Sequence, residues 1–300
     1  MAAVKSLLRK VIKPILFRIL GENQYLWFQY LAKIKDIEKK LVEEDEMELL
    51  PFFVKEDSVS FDIGANYAYY TVRLARLSPC GKVYAFEPIP PTFKVCSRIV
   101  RHYGLKNVVM LDKGVGAQNS TMKFEVPLQD SGFISGGQAH FSGRHSELAE
   151  KNIYYPWDKN RTYGCQVVAI DQEFSNLQRL DFIKMDIEGA ELYALKGMSD
   201  TLKKFRPVIL IEICKFWLSG FNITAKEMND FICGLGYGLY RYSKKDKTFS
   251  KVQSLESDEM YNYIDRIKLT PFAPNYYLIP FEQEKIIEKI REMLPKLPIN

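Results

Sequence analysis

No apolar run in this chain reaches the ~18 residues that a membrane-spanning helix needs, because lysine or arginine keeps interrupting. Cysteine is sparse and unpatterned, at 80, 96, 165, 214 and 233, an odd set without a Cys-x-x-Cys pair. Such a set fits a reducing, cytoplasmic setting better than a disulfide framework. Histidine occurs only at 102, 140 and 145, so zinc-finger spacing is absent as well. The net charge of +5 is small and dispersed, which gives no electrostatic case for a nucleic-acid partner. Neither internal repeats nor low-complexity tracts occur. What remains, 300 residues with 47% hydrophobic and 26% charged, is the composition of a soluble globular protein with an extensive core, as two domains or one α/β domain.

The rest of the chain is organised around Val59–Tyr70, Val-Ser-Phe-Asp-Ile-Gly-Ala-Asn-Tyr-Ala-Tyr-Tyr. An apolar run ends on Asp62, turns at Gly64 and continues as Tyr67, Tyr70, Val72, Leu74, Ala75 and Leu77 at helical spacing, which predicts strand, tight turn and helix. In open α/β sheets ligands lie beyond the carboxyl ends of the strands, so a strand ending on a carboxylate before a glycine turn marks such a crevice. Glycine permits unusual backbone angles and close approach of a ligand. An ordinary buried strand and turn is the plainer reading.

Residues 1 to 20 carry Lys5, Arg9, Lys10, Lys13 and Arg18 with no acid, interleaved with Val4, Leu7, Leu8, Val11, Ile12, Ile15, Leu16 and Ile19. A basic amphipathic helix of this kind, kinked or divided at Pro14, can lie on an anionic membrane surface. Docking on the protein's own surface and removal as a targeting segment are the competing readings. Asp36 to Glu56 is charged, with apolar residues at Ile37, Leu41, Val42, Leu49 and Leu50, and reads as a solvated helix ending near Pro51 whose acids are surface.

Lys82–Phe86 is a second strand ending in Glu87-Pro88, followed by helix Thr92–His102 and a third strand, Asn107–Leu111, that runs into Asp112-Lys113-Gly114-Val115-Gly116. Alternation of strand and helix requires a parallel sheet with crossover helices. Thr121–Val126 is a strand outside that alternation. Residues 127–164, polar and aromatic with His140, His145, Tyr154, Tyr155 and Trp157, form a loop long enough to be a lid or binding insertion. Regular structure returns at Gln166–Ile170 and Phe182–Met185, the latter ending in Asp186-Ile187-Glu188-Gly189-Ala190-Glu191. A helix over Glu188–Phe205 and a buried strand Pro207–Ile213 follow, with Glu212 at the strand's mouth because a carboxylate inside costs free energy unless paired. Helix Thr224–Leu235, strands Tyr237–Tyr240 and Tyr276–Ile279, and a packed or partner-facing helix Phe281–Leu294 complete the chain.

Nicotinamide enzymes need a phosphate-cradling Gly-x-Gly-x-x-Gly after the first strand, and here Asn66 and Tyr69 stand where the later glycines would be, with no Walker lysine. Glu87 lies about 25 residues past Asp62, near the interval at which a second-strand carboxylate meets ribose hydroxyls. The crevice therefore suits a nucleoside without a phosphate chain. S-adenosylmethionine fits, with its ribose on Glu87 and its amino-acid tail near the Asp62–Asn66 turn.

Phe61-Asp62-Ile63-Gly64-Ala65-Asn66 with Tyr70-Thr71, Phe86-Glu87-Pro88, Ile183-Lys184-Met185-Asp186-Ile187-Glu188-Gly189-Ala190-Glu191, and Arg206-Pro207 with Ile211-Glu212 together resemble the FkbM family of S-adenosylmethionine-dependent methyltransferases, over roughly residues 45 to 240. The resemblance implies a Rossmann-like class I methyltransferase fold, a mostly parallel seven-stranded sheet with its last strand antiparallel and helices on both faces. It also implies O-methylation of hydroxyls on sugars, macrolides or related metabolites. The expected organisation is a helical extension at 1–44, the methyltransferase domain at 45–280 with its insertion at 127–164, and a terminal helix at 281–300. Carried over by position, Asp62, Gly64, Ala65 and Asn66 line the methionine end with Thr71 on the next helix. Glu87 holds the ribose, Pro88 and Ile89 flank the adenine, Gly114 and Val115 close its far side, and Asp186 and Glu188 stand beside the reactive methyl. The family usually has glycine where this chain has Ala68.

Methyl transfer to an alcohol needs alignment and removal of a weakly acidic proton. Asp186 is the first candidate base, and His140 or His145 brought in by the insertion the second. A divalent ion on Asp186, Glu188 and Glu212 is an alternative that the spacing does not demand, so no metal is expected. Glu191 is read as an acid favoured by a helix N-terminus. The acceptor is expected to be a small-molecule or glycan hydroxyl, with membrane-surface contact through residues 1–20. The alternatives are an N-methyltransferase acting on nucleic acid or protein, although Met-Asp-Ile-Glu is not the Asn/Asp-Pro-Pro-Tyr pattern of base amino-group methylation, and a catalytically silent S-adenosylmethionine-binding module.

Overall fold

The computed structural model describes residues 7–128, 139–142, 159–265, 270–271 and 273–296. Helix α1 (Leu7–Glu38) and a short α2 (Leu50–Phe53) precede the alternating unit β1 (Val59–Ile63), α3 (Tyr69–Leu77), β2 (Lys82–Phe86), α4 (Pro90–His102) and β3 (Val108–Leu111). Then come β4 (Lys113–Val115), β5 (Ser120–Leu128), β6 (His140–Phe141), β7 (Lys159–Val168), β8 (Phe182–Met185) and β9 (Val208–Glu212). The series closes with β10 (Tyr237–Ser243), β11 (Thr248–Val252), a small hairpin of β12 (Ile264–Asp265) and β13 (Thr270–Pro271), and β14 (Asn275–Pro280).

Among the described residues, eight strands form the main sheet in the order β3-β2-β1-β8-β9-β14-β10-β11. β3, β2, β1, β8 and β9 are parallel neighbours, and β14 runs antiparallel between β9 and β10. Strand order reverses between β1 and β8, which opens a crevice at their carboxyl ends. The reason for burial on both faces is visible in the pleat. Ile183, Met185, Ile209 and Ile211 enter one core, while Phe182, Val208 and Leu210 enter the other with Tyr277 and Ile279. The helix Lys285–Met293 seals that second core with Ile287 and Ile290, so it is packed on this protein. A second sheet, β4-β7-β5-β6, stands beside the crevice and sends Phe124, Val126 and Phe141 into its own core with Ile89.

Several expectations are corrected. The main sheet has eight strands, because β11 adds antiparallel to the edge of the expected seven; it buries only Phe249 of its five residues, too faint a pattern to signal a strand. α1 runs through Pro14 and breaks at Gly21, where φ is 74°. Asp36–Glu56 is not one helix: α1 ends at Glu38, and a 3-10 turn over Asp45–Leu49 leads into α2. Its acids are not mere surface, since Glu44 accepts from the Tyr70 hydroxyl at 2.6 Å and from Asn275 Nδ2 at 3.0 Å, and Glu48 from the Tyr242 hydroxyl at 2.9 Å. The helix expected from Glu188 begins at Glu191, because Glu188 and Gly189 take φ of 57° and 105°, and a second helix restarts at Ser199. Residues 127–164 are not wholly loop: β5 extends to Leu128, β6 pairs with it through Phe124 and Phe141, and β7 starts at Lys159.

Candidate active site

The turn after β1 is held on three sides. Gly64 N and Ala65 N donate to the Phe86 carbonyl at 3.1 and 2.8 Å, and Asp186 N donates to the Ile63 carbonyl at 3.0 Å, so β1, β2 and β8 end at one level. Gly64 has φ of 85°, in the left-handed region that an L side chain resists. Behind the turn, Asp62 is buried and accepts from the Thr71 hydroxyl on α3. Burial pushes its carboxyl up to about 6, against the pull of Thr71 and Lys184.

Glu87, at the end of β2, is also buried. Its two oxygens accept from Asn66 N at 3.0 Å and from Ile89 N at 2.9 Å, which fixes the plane of the carboxyl and leaves lone pairs free toward the crevice. Burial raises it to about 8, only partly opposed by those two N–H groups. Asn66 Oδ1 is buried with no hydrogen-bond partner among the described residues, an acceptor facing the same space. The crevice itself is a partly open cleft at the carboxyl ends of β1, β2 and β8. Its polar residues among those described are Asn66, Glu87, Asp186 and Glu188, with Lys113 as a cation; apolar walls come from Ile89, Val115, Phe124 and Phe141. Lys113 is already paired with Glu173, so among the described residues no free cation awaits a pyrophosphate there.

Of the residues singled out from sequence, Gly64, Asn66, Glu87, Pro88, Ile89, Gly114, Val115, Asp186 and Glu188 line this cleft together. Asp62, Ala65 and Thr71 stand behind its wall, supporting the turn. His140 is placed elsewhere: it is buried on β6 opposite Glu125, and its neighbours Ala139 and Phe141 are the ones that line the cleft, because successive strand residues point to opposite faces. His145, Tyr154, Tyr155 and Trp157 lie outside the described residues. Glu191 accepts from Ile187 N at 3.1 Å and Gly189 N at 3.2 Å, closing the turn after β8. Burial carries it to about 7.

Sequence reasoning missed the cation beneath Asp186. Lys184 points into the second core between Asp62 on β1 and Leu210 on β9, its register neighbours. It is buried, donates to Asn275 Oδ1 at 2.9 Å and lies 5.0 Å from the centre of the Tyr70 ring. Burial works against its charge, yet Asp186, Glu44, Glu212 and Asp62 together hold its pKa above the usual value. Asn275 bridges Lys184 to Glu44. Asp186 is raised by burial and drawn back by Lys184. Glu212, one residue past the Met185 and Ile211 pair, is raised well above the carboxylate range by burial and by Asp186 and Glu188. One ammonium cannot balance every acid around it, so burial and mutual repulsion raise Asp186 and Glu212 together while Lys184 draws both back. The only signal in sequence was a lysine in a strand otherwise wholly apolar.

On the far side of the Asp186 and Glu212 pair, a polar groove is lined by Glu44, Glu212, Arg241, Lys244 and Asn275. Among the described residues, no group of three or more His, Cys, Asp or Glu side chains is arranged to hold a metal ion. The arrangement can hold a diol-bearing nucleoside in an apolar slot and present the Asp186 carboxyl group at one end of it.

The family described as the methyltransferase FkbM domain matches residues 62–239. The chain is similar to Methyltransferase 1 of Beauveria bassiana, 24% identical over 203 residues that cover 65% of this chain and 79% of the relative. It is similar to the hexuronic acid methyltransferase AglP of Haloferax volcanii, 26% identical over 198 residues that cover 66% and 73%. Among solved structures, the methyltransferase FkbM of Methylobacillus flagellatus KT aligns with a TM-score of 0.45 at 15% identity, over 75% of this chain and 44% of that one.

Proposed function

This chain belongs to the family of methyltransferase FkbM domains, and from that premise we propose that it carries the methyl group of S-adenosylmethionine to a hydroxyl of a carbohydrate, glycolipid or natural product. The observation that carries the reading is the shared level of Glu87 and Asp186, at the ends of β2 and β8 on either side of the Gly64 turn and both on one cleft. The residues fit the cofactor: Glu87 offers lone pairs to a diol, Asn66 Oδ1 offers an acceptor for an ammonium tail, and Phe124, Phe141 and Ile89 make a slot for a flat base.

When bound, S-adenosylmethionine supplies an electrophilic methyl carbon on a sulfonium. The chain then has two tasks. Glu87 and the turn orient the donor, while the apolar slot excludes water. Asp186 accepts the acceptor's hydroxyl proton on a carboxylate oxygen as that oxygen is alkylated, and Lys184 beneath it favours the charged form of Asp186. The polar groove beyond that pair suits a hydroxyl-rich acceptor, and the name of the Haloferax volcanii relative, a hexuronic acid methyltransferase, supports a carbohydrate.

A screen for consumption of S-adenosylmethionine with pools of glycans, lipid-linked sugars and oligonucleotides tests the proposal. Turnover with a sugar-containing pool and formation of a methyl ether is expected. Turnover confined to oligonucleotides, or calorimetry with no heat for S-adenosylhomocysteine, would overturn it.

A further inference from the structure

A helix that is apolar all round is ordinarily covered all round, and the part of α1 after Gly21 is apolar on two faces but covered on one. Leu26 and Ile34 are buried against Val95 and Ile99 of α4, with Tyr30 and Ile37 beside them. On the outer face Trp27 is 48% exposed, Phe28 40% and Leu31 40%, with the Trp27 and Phe28 rings edge to face at 5.3 Å. Exposed Lys35 follows Leu31 by one turn, with Lys39 after it, against a single acid, Glu38, on the same side.

We propose that this face of α1 docks on an anionic lipid bilayer. Charge selects that occupant. Immediately before it in the chain stand Lys5, Arg9, Lys10, Lys13 and Arg18 with no acid among residues 1 to 20, and Gly21 is six residues from Trp27, about 9 Å along a helix. Aromatic side chains that favour the lipid–water boundary are thus joined to a polybasic stretch, and stable reversible attachment to a membrane takes two such signals together. A second copy docked through the same face would bring two polybasic stretches together and is disfavoured by their repulsion. The main-sheet cleft lies at the ends of β1, β2 and β8, so attachment through α1 leaves the methyl-transfer reading neither required nor excluded.

Co-sedimentation of the full chain with vesicles of phosphatidylcholine and phosphatidylserine, against vesicles of phosphatidylcholine alone, tests the proposal. Binding is expected only to the anionic vesicles, with a blue shift of tryptophan emission, and it should fall about tenfold or more toward ~1 M salt, where screening is complete within about 3 Å. The double variant Trp27→Glu/Phe28→Glu should lose binding about tenfold, and the charge-reversed Arg9→Glu/Lys10→Glu/Lys13→Glu likewise. Both should retain the melting temperature and the S-adenosylhomocysteine affinity of the parent. Absence of binding by the parent, binding unaltered in either variant, or concentration-dependent self-association abolished by the double variant would overturn the proposal, the last by assigning the face to a second copy.

Discussion

A Cβ built on Gly64 would lie 1.9 Å from the carbonyl oxygen of Asp186. The turn that follows β1 and the end of β8 therefore meet through a residue with no side chain, and the carboxylate of Asp186 reaches the cleft because nothing separates the two backbones. Any side chain at position 64 must move one strand end relative to the other.

Gly64→Ala should accordingly disturb both the turn and the candidate base. We expect S-adenosylhomocysteine affinity to fall by about tenfold or more and stability by about 1–3 kcal/mol, the range for a strained backbone position. Calorimetry and urea denaturation measure the two losses, and unchanged values in both would mean that the Gly64 and Asp186 backbones separate freely.

Asp186→Asn should lower kcat by about 10²–10⁴, the usual contribution of a positioned base, while S-adenosylhomocysteine affinity stays within about threefold. Single-turnover methyl transfer and calorimetry separate the effects. Full turnover in this variant would remove Asp186 from the proton-accepting role.

Lys184 neutralises part of a cluster of acids, so Lys184→Met should leave them unpaired in the core and cost about 3–5 kcal/mol. Adding Glu212→Gln should recover part of that loss, because it removes one of the acids left without a cation. In any Lys184→Met protein that stays folded, the acid limb of kcat against pH should move upward, since Lys184 draws the Asp186 pKa down.

Stability should fall with rising pH in the absence of cofactor. Burial raises Glu87 from 4.5 to about 8, so the native state keeps a proton that the unfolded chain has released. Its contribution is full below the unfolded value, declines from about 4.5 upward and is gone above about 8, at about 1.4 kcal/mol for each unit of displacement. Asp62, at about 6, and Glu191, at about 7, act in the same direction. Thermal melts from pH 5 to pH 9 should show the decline, with a smaller slope in Glu87→Gln; an equal slope in that variant would assign the proton elsewhere.

Ala68 sits at φ 63° and ψ 21°, fully buried at the start of α3. Left-handed backbone costs an L residue about 1–2 kcal/mol, against about 0.5–1 kcal/mol for the extra freedom of glycine in the unfolded chain. Ala68→Gly should therefore raise the melting temperature by about 2 °C. A lower melting temperature would show that the Ala68 methyl contributes more by packing than its backbone angle costs.

Much of the site could be read along the chain because its parts are local. Strand, glycine turn and helix follow one another from Val59 to Leu77, and Glu87 and Asp186 each end a short apolar run, so periodicity alone places them at strand ends. Placement of Glu212 at a strand's mouth, where it is half-buried, followed from the cost of an unpaired carboxylate inside the strand. Misjudged elements were those with weak or contradictory local signals. β11 buries a single residue, and the helix after β8 starts late because Glu188 and Gly189 adopt positive φ that composition does not announce.

By itself, the order of residues determined the alternation of strands and helices, and with it a parallel sheet whose carboxyl ends bear Asp62, Glu87 and Asp186. Only the folded chain decided what surrounds those acids. Glu44 and Asn275 are 231 residues apart and meet beside Lys184, and Phe124 and Phe141 become cleft walls because a second sheet stands next to the first. Local periodicity reports which face of an element is apolar, whereas the partner of a buried charge is fixed by which strands become neighbours, and that is settled by packing of the whole core.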